Sequence, residues 1–253
     1  MALKNLGRIV AHKHELGYSR DPGSRAMTWV GGNEKVPSMI DLSDRPGLTA
    51  QSERHFEPWV YPSDLTTRVT TENGLTLQMR PIRPDDADIL QRFHAQLTPD
   101  SVFRRYFSLH PELSAAELVH LTTVDYVDRL AFIIIVRGAL VAVGRYDRIP
   151  ESDRAEVAFL VDDAYQHQGL GILLLDHLAD AAWERGITTF VAETQADNRS
   201  MMHVFKESGF SVNARLEDEI IFVRFPIEPT DESRARRADR TRRWAASREA
   251  ALR

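Results

Sequence analysis

Residues 155–195 read AEVAFLVDDAYQHQGLGILLLDHLADAAWERGITTFVAETQ, and this run decides the fold. Ala155 to Val161 is a short apolar run with one charge, which is the length and composition of a strand. Leu175, Leu178, Ala179 and Ala182 then recur at helical spacing, and Gly186 stops that helix where left-handed backbone is wanted. Thr188 to Glu193 returns to strand composition. Between the first strand and the helix lies Tyr165-Gln166-His167-Gln168-Gly169-Leu170-Gly171-Ile172. A glycine-rich turn at a helix start offers unpaired backbone N–H groups and the positive end of the helix dipole, which together bind phosphate. Glycines at 169 and 171 let the backbone approach an anion with no Cβ in the way. The same pair also suits a plain tight connection from strand to helix. Two other phosphate sites are excluded: no G-x-x-x-x-G-K-[ST] occurs, and Leu174 stands where a dinucleotide loop needs its third glycine.

The flanks extend the pattern. Leu75 to Ile82 alternates as a strand, and Arg83-Pro84-Asp85-Asp86 opens a helix with acids in its first turn. Ser114 caps a short helix running to Thr122. Leu130 to Val136 and Leu140 to Tyr146 are apolar strands joined by Arg137-Gly138-Ala139, a hairpin signal. Downstream, a helix from Asn198 carries Met201, Val204 and Phe205 on one face and stops at Gly209, and Ile220 to Phe225 is a final strand. Hairpins beside a strand–helix–strand unit predict an α/β (α+β) fold whose central sheet is mixed, mostly antiparallel and flanked by helices.

The whole chain of 253 residues is 43% hydrophobic and 27% charged with a net charge of −5, which excludes a generally basic nucleic-acid coat and a disordered acidic chain. It has no cysteine, so a disulfide framework, a thiol nucleophile, a Cys-ligated zinc and an iron–sulfur cluster are all excluded. The longest charge-free apolar run, Leu130 to Val136, is seven residues, against the roughly 20 of a membrane helix. The start, MALKNLGRIVAHKH, carries Lys4, Arg8 and Lys13 and lacks the apolar core of a secretory signal. A soluble, cytoplasmic protein without a membrane partner is expected.

Charge divides the chain into three zones. Residues 1–70 hold nine Lys/Arg against eight Asp/Glu, and 231–253 hold eight Arg against four acids, so 71–230 carry a net −10. The first zone is an irregular N-terminal extension, broken repeatedly by Gly and Pro. Trp29, Phe56, Trp59 and Tyr61 within it want a surface to bury against. Composition allows either an arm wrapped over the next domain or over a second subunit, giving a homo-oligomer, or a disordered leader. The last zone lacks an apolar stripe and reads as a solvated basic helix or disordered tail. The acidic body and the lack of interleaved aromatics argue against nucleic acid as a partner. His12-x-His14 has no third ligand in view, so no metal is expected.

The run from Ala155 to Phe210 resembles the core of the GNAT superfamily of acyl-CoA-dependent N-acyltransferases, and this identifies residues 71–230 as a GNAT domain. Gln166-x-x-Gly169-x-Gly171 is similar to that superfamily's [RQ]-x-x-G-x-[GA] pyrophosphate motif, and Asn198 with Gly209-Phe210 resembles its N-x(n)-GF signature. RPIRPDD, FRRYFS and AEVAFLV look closest to bacterial protein lysine acyltransferases of the Pat type. The resemblance implies a GNAT fold and acetyl-CoA or another short acyl-CoA as co-substrate. Leu160, Val161, Gln166, His167, Gln168, Gly169, Leu170, Gly171, Ile172, Asn198 and Phe205 are then the residues around that co-substrate. It also implies a protein lysine as acceptor, in the Pat type on an acyl-CoA synthetase, and Glu156 as general base.

The chemistry needs such a group. A lysine amine has an ordinary pKa near 10.4, only its neutral form attacks a thioester, and a carboxylate must take the proton as attack proceeds. Ala158 and Leu160 share the strand face of Glu156, and apolar surroundings there would raise its pKa. Glu193 is a reserve base. Many GNAT enzymes protonate the leaving thiolate from a tyrosine whose place here is Phe205, which has no proton to give. That departure keeps two other readings open: acetylation of a small-molecule amine, and a non-catalytic module that senses acyl-CoA.

Overall fold

The structure, a computed structural model, describes residues 18–20, 27–29, 58–70 and 76–251. Two units divide the chain at Arg54 and His55. In the first, β1 (Tyr18–Arg20) pairs antiparallel with β2 (Met27–Trp29). His12, His14, Phe56 and most of the N-terminal extension lie outside the described residues.

The second unit is built on one sheet. Its strands are β3 (Thr67–Thr70), β4 (Thr76–Pro81), β5 (Arg129–Val136), β6 (Ala139–Arg148), β7 (Arg154–Val161), β8 (Thr189–Gln195), β9 (Asn213–Glu217) and β10 (Ile220–Pro226). They lie in the order β3-β4-β5-β6-β7-β8-β10-β9. Every neighbouring pair is antiparallel except β7 and β8, whose parallel pairing requires a crossover. The hairpin of β5 and β6 turns through Arg137 and Gly138 at φ 49° and 83°, the two-residue turn whose twist matches that of the strands.

The described residues form six helices beside this sheet: α1 (Ala87–Gln96), α2 (Pro99–Tyr106), α3 (Ala115–Thr122), α4 (Leu170–Glu184), α5 (Arg199–Glu207) and α6 (Asp231–Ala251). The crossover helix α4 lies over the face that carries Gly144. A Cβ there would stand 3.0 Å from both Leu174 Cβ and Phe159 Cδ1, so the helix comes closer than any side chain would allow. Val143 and Arg145 point to the other face, because side chains alternate along a strand, and α1 to α3 cover that side. Phe132, Tyr146, Phe190, Phe205 and Phe225 are fully buried on the α4 face, and Ile133 and Phe93 on the other, so the core lies on both faces. Among the described residues, no helix is long and apolar enough to cross a membrane.

Two expectations are corrected. Residues 58–70, read as part of the extension, belong to the second unit. Trp59 N donates to Asp125 O at 2.9 Å, the Tyr61 hydroxyl donates to Pro81 O at 3.3 Å, and β3 extends the sheet edge. Trp59 itself is 64% exposed rather than buried. Nor is the basic tail solvated along its first half. Arg240 donates from Nη2 to both Asp176 carboxylate oxygens at 2.6 and 2.7 Å and from Nη1 to Glu207 O at 2.8 Å. Arg237 pairs with Asp180 one turn away on α4. Gly209, at φ +86°, leaves the room α6 needs, since a Cβ there would lie 2.8 Å from Ser233 Cα. The helix docks by arginine–carboxylate pairs, so it needs no apolar stripe.

Candidate active site

The site begins where two strands part. β7 and β8 pair only at Arg154↔Thr189, Ala155↔Phe190 and Glu156↔Val191. Beyond Glu156, β7 stays on β6 as far as Val161↔Ala142, while β8 stays on β10 as far as Gln195↔Ile220. A V-shaped cleft therefore opens between them, with Glu156 at its apex. Its facing backbone edges have left the ladder, and backbone polar groups in that position require partners.

The mouth of the cleft is the loop between β7 and α4. Asp162 Oδ1 accepts from Ala164 N at 2.9 Å, which starts a short 3₁₀ turn over Asp163–Tyr165. His167 at φ 58° and Gly169 at φ 79° then reverse the chain so that α4 starts at Leu170. The Ser114 side chain caps α3 and the Asn198 side chain caps α5, but no side chain caps α4 and no acid sits in its first turn. The first N–H groups of α4 are thus left to an outside acceptor.

Several expected contacts are used inside the protein instead. Gln166 Nε2 donates to Val161 O and Ser101 Oγ, both at 3.2 Å, and to Asp163 Oδ1 at 3.3 Å. Gln168 Nε2 donates to Ala164 O at 3.2 Å. Asn198 Oδ1 accepts from Met201 N at 3.0 Å, as a helix cap. Gly171 has a packing reason to lack a Cβ, which would meet Val204 Cγ2 on α5 at 3.0 Å. Phe205 is placed in the core, its ring against Phe159 and Phe225 at centroid distances of 6.5 and 5.5 Å, so it cannot line the cleft with its side chain.

Glu156 is exposed, and among the described residues no hydrogen bond or ion pair reaches its side chain. The apolar setting expected for it is only half present. Val191 is its neighbour on β8, but Asp147 is its neighbour on β6. Burial works against charge on Asp147, yet Arg145 and Arg129 outweigh it and pull its pKa down to about 2. Both arginines are therefore committed to Asp147.

Helix α2 was not read from periodicity, although Thr98-Pro99-Asp100 is a cap, a proline at the first helical position and a first-turn acid. It ties both sides of the cleft together. Asp163 accepts from Thr98 N, Thr98 Oγ1 and Ser101 Oγ at 3.1, 3.0 and 2.8 Å, while Arg104 reaches Asp197, before α5, at 3.1 Å. Burial opposes the Asp163 charge, but those bonds win and hold its carboxyl below the ordinary range. Beneath α2 lies a chamber of about 30 Å³, lined by Phe93 and His94 of α1, Arg105 and Tyr106 of α2, and Ala158 and Leu160 of β7. Among the described residues, no group of three His, Asp or Glu is placed to hold a metal.

Residues 98–210 match the model of the acetyltransferase (GNAT) family. The chain is 31% identical over 143 residues to Acetyltransferase PA5475 of Pseudomonas aeruginosa, covering 55% of this chain and 77% of that protein. It is 25% identical over 206 residues to Acetyltransferase Pat of Mycolicibacterium smegmatis, covering 80% of this chain but only 60% of that longer relative. The solved GNAT domain of S. lividans PAT is 37% identical and superposes with a TM-score of 0.63, covering 66% of this chain and 99% of that domain.

Proposed function

This chain belongs to the acetyltransferase (GNAT) family, and from that premise we propose that it transfers an acetyl group from acetyl-CoA to the ε-amine of a protein lysine. The observation that carries this reading is the parting of β7 and β8 at Glu156, with the uncapped start of α4 at the mouth of the same cleft. An acyl-CoA has an amide-bearing arm and a pyrophosphate. The edge of β7 that parts from β8 beyond Glu156 suits the arm, and the backbone N–H groups from Gly169 to Ile172 suit the anion. Gln166 and Gln168 act by shaping the loop, and Asn198 by starting α5.

When bound, acetyl-CoA supplies a thioester carbonyl. Glu156 takes a proton from the lysine nitrogen, directly or through one water, so that the neutral amine attacks. The C–N bond forms, the C–S bond breaks, and coenzyme A leaves as a thiolate. No tyrosine acid is needed from α5, where the relevant position is the buried Phe205. The net −10 of residues 71–230 favours an acceptor surface bearing lysines over an acidic one. The Pat-type resemblance of RPIRPDD and FRRYFS extends the proposal to an acyl-CoA synthetase as that acceptor.

The test mixes the protein with acetyl-CoA and either a purified acyl-CoA synthetase or a polyamine, following CoA release and acetyl-lysine. CoA release with acetyl-lysine on the synthetase is expected. Release with the polyamine alone would favour a small-amine acetyltransferase, and acetyl-CoA binding without any release would favour a sensor.

A further inference from the structure

The chamber beneath α2 has polar features that acetyl transfer does not use. His94 is 2% exposed, and neither ring nitrogen has a hydrogen-bond partner. A neutral imidazole carries one donor and one acceptor, and leaving such groups buried and unpaired is unfavourable. Rings hem it in on two sides, Tyr106 at 5.6 Å and His110 at 5.8 Å, both edge-on, so those contacts satisfy neither nitrogen. Burial, then the nearby His110, holds His94 below its ordinary pKa, with Glu117 opposing.

The charges around the chamber do not cancel. Arg145 and Arg129 share the one carboxylate of Asp147, and Glu117 is held by Ser114 with His110 at 3.1 Å. Arg105 lines the chamber, lies 5.3 Å over the Tyr106 ring and has no acidic partner among the described residues. The remaining walls are apolar, including Leu90, Phe93 and Leu160. A space of about 30 Å³ takes roughly two water-sized groups, enough for a carboxylate. Its floor at Ala158 and Leu160 is the strand that leaves Glu156, with Ala158 two residues from the apex of the cleft.

We propose that this chamber receives the far end of the acyl group, and that it selects a short acyl chain ending in a carboxylate, such as succinyl, over an alkyl chain of equal length. This rests on the acyl-CoA reading above. Arg105 supplies the countercharge and His94 an N–H, while the apolar walls take the methylene carbons.

Calorimetry on the full chain with acetyl-CoA, butyryl-CoA and succinyl-CoA tests it, alongside Arg105→Gln and His94→Phe. A charge-assisted hydrogen bond corresponds to at least about a ten-fold gain in affinity. Wild type should therefore bind succinyl-CoA at least ten-fold more tightly than butyryl-CoA. Arg105→Gln should abolish that preference while leaving acetyl-CoA affinity unchanged, and His94→Phe should reduce it. Equal affinity for succinyl- and butyryl-CoA, or parallel losses for all three ligands in Arg105→Gln, would overturn the inference while leaving the acetyltransferase reading intact. Equal thermal protection by free succinate without coenzyme A would overturn the acyl-chain assignment in favour of a free acid. Failure of every acyl-CoA to bind would overturn the proposed function, and this inference with it.

Discussion

Removing Arg240 should destabilise the protein by far more than its place in a basic tail suggests. Its guanidinium and the Asp176 carboxylate are each only 8% exposed, and Arg240 also holds Glu207 O. Arg240→Leu would leave Asp176 charged, buried and without that bond, at a cost of about 3–5 kcal/mol. For a unit of this size, that lowers the melting temperature by roughly 6–20 °C. Burial already pushes the Asp176 carboxyl above its ordinary range, and Arg240 only partly offsets it. Without Arg240 its pKa rises further, so the deficit against wild type should shrink as the pH is lowered and Asp176 is neutralised. The assay is thermal and urea unfolding of wild type, both single variants and the double Asp176→Leu/Arg240→Leu. The double should recover much of the loss, because an apolar pair replaces a buried ion pair at little net cost. Additive losses, or a single-variant loss under about 1 kcal/mol as for an exposed pair, would refute the docking of α6.

Two more predictions test the site and its frame. Gly171→Ala would place a methyl 3.0 Å from Val204 Cγ2. The overpacking of about 1–3 kcal/mol should exceed the helix gain of up to about 1 kcal/mol, and the same change in a Val204→Ala background should become neutral or stabilising, as read by unfolding midpoints. Burial, then the charge of Arg237, pulls the His177 pKa down to about 4, against about 6.5 in the unfolded chain. The unfolded state then binds more protons between those values, so stability falls as the pH drops from about 6.5 towards 4. His177→Leu should flatten that limb of the urea midpoint against pH, and an unchanged slope would contradict it.

The elements legible in the sequence were those with a local cause. The Ser114 cap pairs with Glu117 as a capping box, Gly138 supplies the positive φ of the hairpin, and Gly186 closes α4 at φ +76°. Strand β9 was missed because all five of its residues, NARLE, are exposed and show no alternation. The tail was misjudged because α6 docks through Arg240 and Arg237, and apolar periodicity does not register paired charges. At the site, the sequence draws attention to the loop and to Glu156 but gives no sign of the cleft. Apolar patterning marks β7 and β8 as strands without saying that their pairing stops at Glu156. Phe205 shares a helix face with Met201 and Val204, and only the fold turns that residue towards Phe159 and Phe225. The polar lining under α2 joins residues far apart in the chain, which no single motif displays.

The central claim is that the cleft carries acetyl transfer with Glu156 as its base, and Glu156→Gln tests it most directly. The change keeps size and hydrogen bonding but removes the proton acceptor. With acetyl-CoA and the acceptor protein, turnover should fall by roughly 10²–10⁴-fold, equivalent to about 3–5 kcal/mol in barrier. Acetyl-CoA affinity by calorimetry should stay the same, because backbone groups rather than this side chain hold the co-substrate. Near-normal turnover in a folded Glu156→Gln protein would contradict the account and move the base to Glu193 or to a chain of waters.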